Sequence, residues 1–234
     1  MPTRQSNLRV GTIFPLIFAG LAWAGMPAEA QSSQVEIEQI GSNNIAIINA
    51  GSGHNNRAAL LQRGTDNQLE ATMDGDDNSW NVEQSSDGAT NRAHFQQTGV
   101  GNHLDITQDA TGLDAGLANL AKVTQTGSGN RANVNQTAAL ASGSGYSNTA
   151  IIRQSGSGNV ANTLQDGDDN FSEQVQDGDD NLSDIIQRGD GNTAIHHQIG
   201  DGLSIAPDSL GAGITIEQDG GATVIVQQYS PGHY

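Results

Sequence analysis

Asparagine is followed by glutamine six residues later at eleven places in this 234-residue chain, and that interval never varies. The pairs are Asn56 and Gln62, Asn78 and Gln84, Asn91 and Gln97, Asn102 and Gln108, Asn119 and Gln125, Asn130 and Gln136, Asn148 and Gln154, Asn159 and Gln165, Asn170 and Gln176, Asn181 and Gln187, and Asn192 and Gln198. Asn44 with Ala50 and Asn67 with Met73 keep the frame, with an apolar residue in place of Gln. What varies is the connection from one Gln to the next Asn. It most often has four residues, as in TGSG after Gln125 and DGDD after Gln165, and is longer after Gln84, Gln108, Gln136 and Gln198. Constant segments separated by elastic joints are the signature of a repeat architecture, which decides the fold before any other feature is read.

Within each constant segment the side chains alternate. Asn102, Leu104, Ile106 and Gln108 share one parity and His103, Asp105 and Thr107 the other; Asn130, Ala132, Val134 and Gln136 repeat the arrangement against Arg131, Asn133 and Asn135. Period two means strand, because successive side chains point to opposite faces. A helix would need apolar residues at i, i+3 and i+4, and the many glycines and β-branched residues oppose one.

One short strand cannot bury its inward face, so two units fold over each other as strand, turn, strand, and the next pair stacks on top. The expected fold is all-β: a cross-β solenoid whose 22-residue layers each comprise two 11-residue half-repeats and rise about 4.8 Å per layer. Val35 to Gln39 at the start, and Ile214 to Gln218 with Thr223 to Tyr229 at the end, bring the count to about sixteen strands and eight layers.

In such a coil the inward Asn and Gln residues, with Gln39 and Gln218 extending the series, stack on their equivalents in the next layer. An amide is both donor and acceptor and can bond its own kind above and below, whereas an unpaired one inside would cost about 1 to 3 kcal/mol. Gly41, Gly64, Gly99, Gly127, Gly156, Gly167, Gly178 and Gly189 are the expected turn glycines.

Residues 1–30 read as an export signal: Arg4 and Arg9 precede an apolar run from Val10 to Met26, and Ala28-Glu29-Ala30 fits a cleavage site. A membrane anchor is the competing reading, but the run contains Pro15 and Gly20 and falls short of the roughly 20 residues a span needs. The repeat region is then 31–229 and the tail 230–234. Without residues 1–30 the chain keeps 7 basic and 25 acidic residues, a net charge of −18, which argues against a nucleic-acid partner. It has no cysteine and only 4% aromatic residues, so neither disulfides nor a large oily interior can hold it together.

The segments QTGSGNRA from Gln125 and QSGSGNVA from Gln154 give the pattern Q-x-G-x-x-N-x-A, which resembles the curlin repeat of curli subunits and recurs through most of residues 33 to 229. The resemblance implies a subunit of a secreted functional amyloid that polymerises with itself, and with other curli-type subunits, into fibres of the bacterial biofilm matrix, exported through outer-membrane machinery. The start QSSQVEIEQ lacks the Gly-rich targeting segment of the major curli subunit, and the tail YSPGHY, with Pro231, is not expected to form a strand.

Open edges of a strand stack template further pairing. The edge near Val35 to Gln39 has neither Pro nor Lys, and TVIVQQ at the other end is apolar and β-branched; a monomeric solenoid adhesin capped by its tail is the alternative. The DGDDN turns suggest a calcium-binding β-roll as another alternative, although that fold has a nine-residue period. Joints on opposite sides do not stack, so the turns after Gln165 and Gln176 stay apart, and Asp166 is expected to pair with Arg188 one layer away. His94, His103 and His197 fall on outward positions and His196 on an inward one, without metal-site spacing. Val160, Leu164, Phe171, Val175, Leu182 and Ile186 are expected to form outward apolar stripes on two faces. No nucleophile-base spacing or phosphate loop is present, so neither an enzyme nor a cofactor is expected.

Overall fold

The computed structural model describes residues 8–13, 33–110, 116–138, 147–203 and 214–229. From Gln34 onward, strands alternate between two parallel sheets. The first sheet holds β2 (Gln34–Ser42), β4 (Arg57–Thr65), β6 (Ser79–Ser86), β8 (His103–Ala110), β10 (Arg131–Thr137), β12 (Val160–Asp166), β14 (Leu182–Arg188) and β16 (Ile214–Asp219). The second holds β3 (Ile45–Ala50), β5 (Gln68–Asp74), β7 (Ala89–Val100), β9 (Gly116–Ser128), β11 (Asn148–Ser157), β13 (Asn170–Asp177), β15 (Thr193–Ile199) and β17 (Thr223–Tyr229). The chain is therefore an all-β, parallel β-solenoid. Counted from Gln34, each sheet contributes eight strands; β3 and β17 are the two edges of the second sheet, whereas in the first β16 is an edge and β2 is flanked by one further strand.

Every neighbouring pair keeps one frame. Gln136 stands opposite Gln108 on one side and Gln165 on the other, and Gln154 lies between Gln125 and Gln176. The alternating burial follows from the period-two pattern, since inward residues such as Ala132 and Val134 are sealed while Arg131, Asn133 and Asn135 face solvent. The interior is an apolar column from Ile37 to Ala161, in which Trp80 meets Phe95 edge to face at 5.1 Å.

Above that column the interior changes character. Thr163, Ser172, Gln174, Ser183 and His196 occupy inward positions, and a second small apolar cluster of Ile185, Ala194 and Ile216 closes the C-terminal end.

Three of the four long joints, those after Gln84, Gln108 and Gln136, leave the first sheet at one corner in consecutive layers. The residues flanking them pack together as a satellite core of Ala89, Ala110, Ala118 and Ala138. The second sheet extends to meet it, so that Ala89 stands opposite Gly116 and Thr90 opposite Leu117, with a register shift at Asn91.

A further strand, β1 (Leu8–Ile13), lies parallel along the outer edge of β2, with Leu8 opposite Val35 and Thr12 opposite Gln39. It belongs to the segment read as an export signal. The rest of that segment and the tail 230–234 lie outside the described residues.

Candidate functional site

The distinguishing chemistry of the molecule is its interior amides. In the first sheet each glutamine donates through Nε2 to Oε1 of the glutamine in the next layer. The series runs Gln39 to Gln62 (2.5 Å), Gln62 to Gln84 (2.7 Å), Gln84 to Gln108 (2.8 Å), Gln108 to Gln136 (2.9 Å), Gln136 to Gln165 (2.8 Å), Gln165 to Gln187 (2.8 Å) and Gln187 to Gln218 (2.9 Å). In the second sheet the series runs from Gln97 through Gln125, Gln154, Gln176 and Gln198 at 2.8 to 2.9 Å. It ends on Gln228, which accepts from Gln198 at 2.9 Å.

Gln228 was not among the residues expected from sequence. Its strand opens on Ala222 in place of Asn, which removes the marker, although counting six residues from Ala222 would have found it.

Most of these glutamines donate a second bond to a backbone carbonyl across the interior, as Gln136 does to Leu120 O at 3.0 Å, so both amide protons are used. The second-sheet column begins abruptly. Met73 stands below Gln97, opposite it in the register, and Gln97 Oε1 is buried without a partner.

The asparagines form columns of the opposite sense, in which the later residue donates to the earlier. Asn102 donates to Asn78, Asn130 to Asn102 and Asn159 to Asn130 at 3.0 to 3.1 Å. At the ends of this column the link is a backbone amide: Asn78 N to Asn56 Oδ1 and Asn181 N to Asn159 Oδ1. In the other sheet Asn67, Asn91, Asn119, Asn148, Asn170 and Asn192 descend in the same way to Asn44.

These side chains also hold the turns together, since Asn102 donates to Gly127 O and Asn130 to Gly156 O in the layer above. Gly41, Gly64, Gly99, Gly127, Gly156, Gly167, Gly178 and Gly189 all have positive φ. At Gly127 the need for glycine is double: φ is 114°, and an added Cβ would sit 2.1 Å from the Gly156 carbonyl oxygen.

The acidic turns stack as well. Asp179 Oδ1 accepts the Ser157 amide at 2.7 Å, Asp201 Oδ1 the Asp179 amide at 3.0 Å, and Asp190 Oδ1 the Asp168 amide at 3.0 Å. Asp76 accepts the His54 amide and contacts its ring, and these bonds hold its carboxyl below the usual value. Turns after Gln165 and Gln176 lie at opposite corners. Among the described residues no three His, Asp or Glu side chains converge on a point where a metal ion could be held.

Two surface expectations are corrected. Asp166 does stand opposite Arg188, but the Arg188 guanidinium turns the other way and bonds Glu217. Leu164 opposite Ile186 and Val160 opposite Leu182 give an apolar patch on the first sheet. On the second sheet Phe171 lies between Thr149 and Thr193, and Val175 between Arg153 and His197, so no stripe forms there; these polar neighbours come from layers whose outward residues differ.

His94 and His103 are outward and pair with Glu70 and Asp105. His196 is fully buried between Ser183 Oγ at 2.6 Å and Gln228 Oε1 at 3.0 Å, and its burial pushes its pKa below the ordinary imidazole value.

Residues 178–206 match the curlin associated repeat. The matched stretch spans one full period, including Asn181, Gln187, Asn192 and Gln198, each a member of the columns above. No curated protein and no solved structure matches the chain. A curlin repeat on a β-solenoid of this regularity is the architecture of a curlin-like structural subunit.

Proposed function

We propose that the protein is an exported subunit that stacks end to end into extracellular cross-β fibres, serving biofilm matrix and surface adhesion. The observation that carries this reading is where the apolar surface lies. Among the described residues six large hydrophobics are exposed, and five of them, Ile40, Ile45, Ile47, Ile225 and Tyr229, sit in the first or last layer; Val100 is the sixth. Apart from Val100 and the half-buried patch of Val160, Leu164, Leu182 and Ile186, the large exposed hydrophobics lie at the ends.

Those ends are also strand edges. β3 and β17 terminate one sheet and β16 the other, leaving ladder groups directed along the axis. The first-sheet glutamine column reaches both ends, at Gln39 and Gln218, so a second copy meets matching chemistry there. The acidity of the flanks slows premature association through like-charge repulsion, and residues 1–30 direct export and are removed. Partners are other copies of the chain and related subunits, together with outer-membrane export machinery.

The test is to purify residues 31–234, remove denaturant and follow the solution by electron microscopy and fibre diffraction. Fibres with a reflection near 4.7 to 4.8 Å along the axis are expected. Material that stays monomeric at high concentration sinks the reading.

A further inference from the structure

We infer that end-to-end joining occurs in one register, with β16 and β17 of one copy seated on β2 and β3 of the next, so that Gln218 meets Gln39 and Ile225 meets Ile47. This rests on the stacking reading above and adds to it the frame of the seam and its weakness.

The frame follows from the molecule's own rungs. Every neighbouring pair of strands in the first sheet sets glutamine column against glutamine column, from Gln39 and Gln62 to Gln187 and Gln218. Extending that frame by one rung places Gln218 on Gln39 of the next copy. A slip of one residue would turn every inward side chain outward, and a slip of two would set an amide against the apolar wall at Ile37.

In the correct frame Ile216 falls on Ile37, and Val224 and Val226 on Ala46 and Ile48. On the outside, Ile225 and Ile47, 62% and 44% exposed, cover each other. The outer edge of β2 accepts a parallel strand in this frame, since β1 lies along it with Thr12 opposite Gln39. A second copy's β16 takes that place once residues 1–30 are gone.

The seam is weaker than any internal rung. In the second sheet both amide columns are interrupted, because Ala222 meets Asn44 and Gln228 meets Ala50. On the outer face of the first sheet Glu217 meets Glu38, a like-charge pair on adjacent strands. The fibre is therefore a series of robust eight-layer blocks joined by discontinuous seams.

The chain has no cysteine, so the register can be read by cross-linking. All three core clusters of the described residues lie between residues 35 and 226, so residues 31–234 carry them in full. In the double variant Ile47→Cys, Ile225→Cys the two sulfurs stand seven layers apart within one molecule, about 34 Å, but on facing strands across a seam, about 4.8 Å between Cα atoms.

Mild oxidation of its fibres is expected to give covalent multimers, while the offset pair Asn49→Cys, Ile225→Cys gives several-fold fewer. Equal yields, or a preference for the offset pair, overturn the register. If unsubstituted protein forms no fibres, the stacking reading itself falls. Ala50→Gln supplies an acceptor for Gln228 and is expected to slow subunit loss from fibre ends about fivefold; an unchanged rate contradicts the interrupted column.

Discussion

Gln125 lies directly beneath Gln154, its Nε2 2.9 Å from the Gln154 Oε1, and both side chains are sealed from solvent. Gln125 is also the acceptor for Gln97, so one side chain completes two rungs. Replacing it with leucine leaves the Gln97 donor below it and the Gln154 acceptor above it without their partner. Gln125→Leu is expected to lower stability by about 2 to 4 kcal/mol, more than a surface change such as Asn133→Leu, with urea unfolding of the soluble chain as the measurement.

The broken start of the second-sheet column offers the converse. Met73 is buried and unbranched, similar in length to glutamine, and Gln97 Oε1 above it lacks a donor. Met73→Gln is expected to raise the unfolding free energy by about 1 kcal/mol. A loss of stability would show that the apolar contact at Met73 outweighs the added rung.

Two glycines separate conformational cost from collision. Gly101 has φ 68° and nothing within 4 Å of an added Cβ, whereas Gly127 has φ 114° and a carbonyl oxygen 2.1 Å away. Gly101→Ala is expected to cost about 1 to 2 kcal/mol and Gly127→Ala several times as much. Thermal unfolding of the two variants gives the comparison.

His196 gives the fold a pH dependence at its C-terminal end. Burial lowers its folded pKa below 6.5, His197 adds to this and the bond with Gln228 opposes it. The unfolded chain therefore binds the proton at a pH where the folded chain refuses it, and stability falls as pH drops below the unfolded value. The contribution is complete above the ordinary imidazole value of about 6.5 and diminishes as the pH falls below it. His196→Gln is expected to flatten the difference in urea midpoint between about pH 7.5 and 5.5; an identical slope in the two proteins would remove His196 as its source.

Where the asparagine and glutamine interval is intact, the sequence sufficed to place strands, turns and inward residues, because a period-two pattern on a fixed frame leaves one way to bury the amides. Gln228 escaped because Ala222 hides the frame; Thr163, Ser172, Gln174 and Ser183 lie at the inward parity of intact intervals, but their polar side chains do not mark them as interior the way the apolar residues of other layers do. The alanine satellite core is built from joints that share no pattern with one another; only stacking at one corner brings Ala89, Ala110, Ala118 and Ala138 together. Arg188 had two acidic neighbours within reach, and strand register alone could not choose Glu217 over Asp166.

The opposed sense of the two kinds of column affects how long a stack can become. Glutamine amides point their protons towards the C-terminal end and asparagine amides towards the N-terminal end. Each bond dipole is thus answered by one of reverse direction a few ångströms away. An α-helix adds its peptide dipoles head to tail and accumulates partial charge at its termini, whereas here the two kinds of column oppose each other, so lengthening the stack adds far less polarisation along its axis than columns of one sense would.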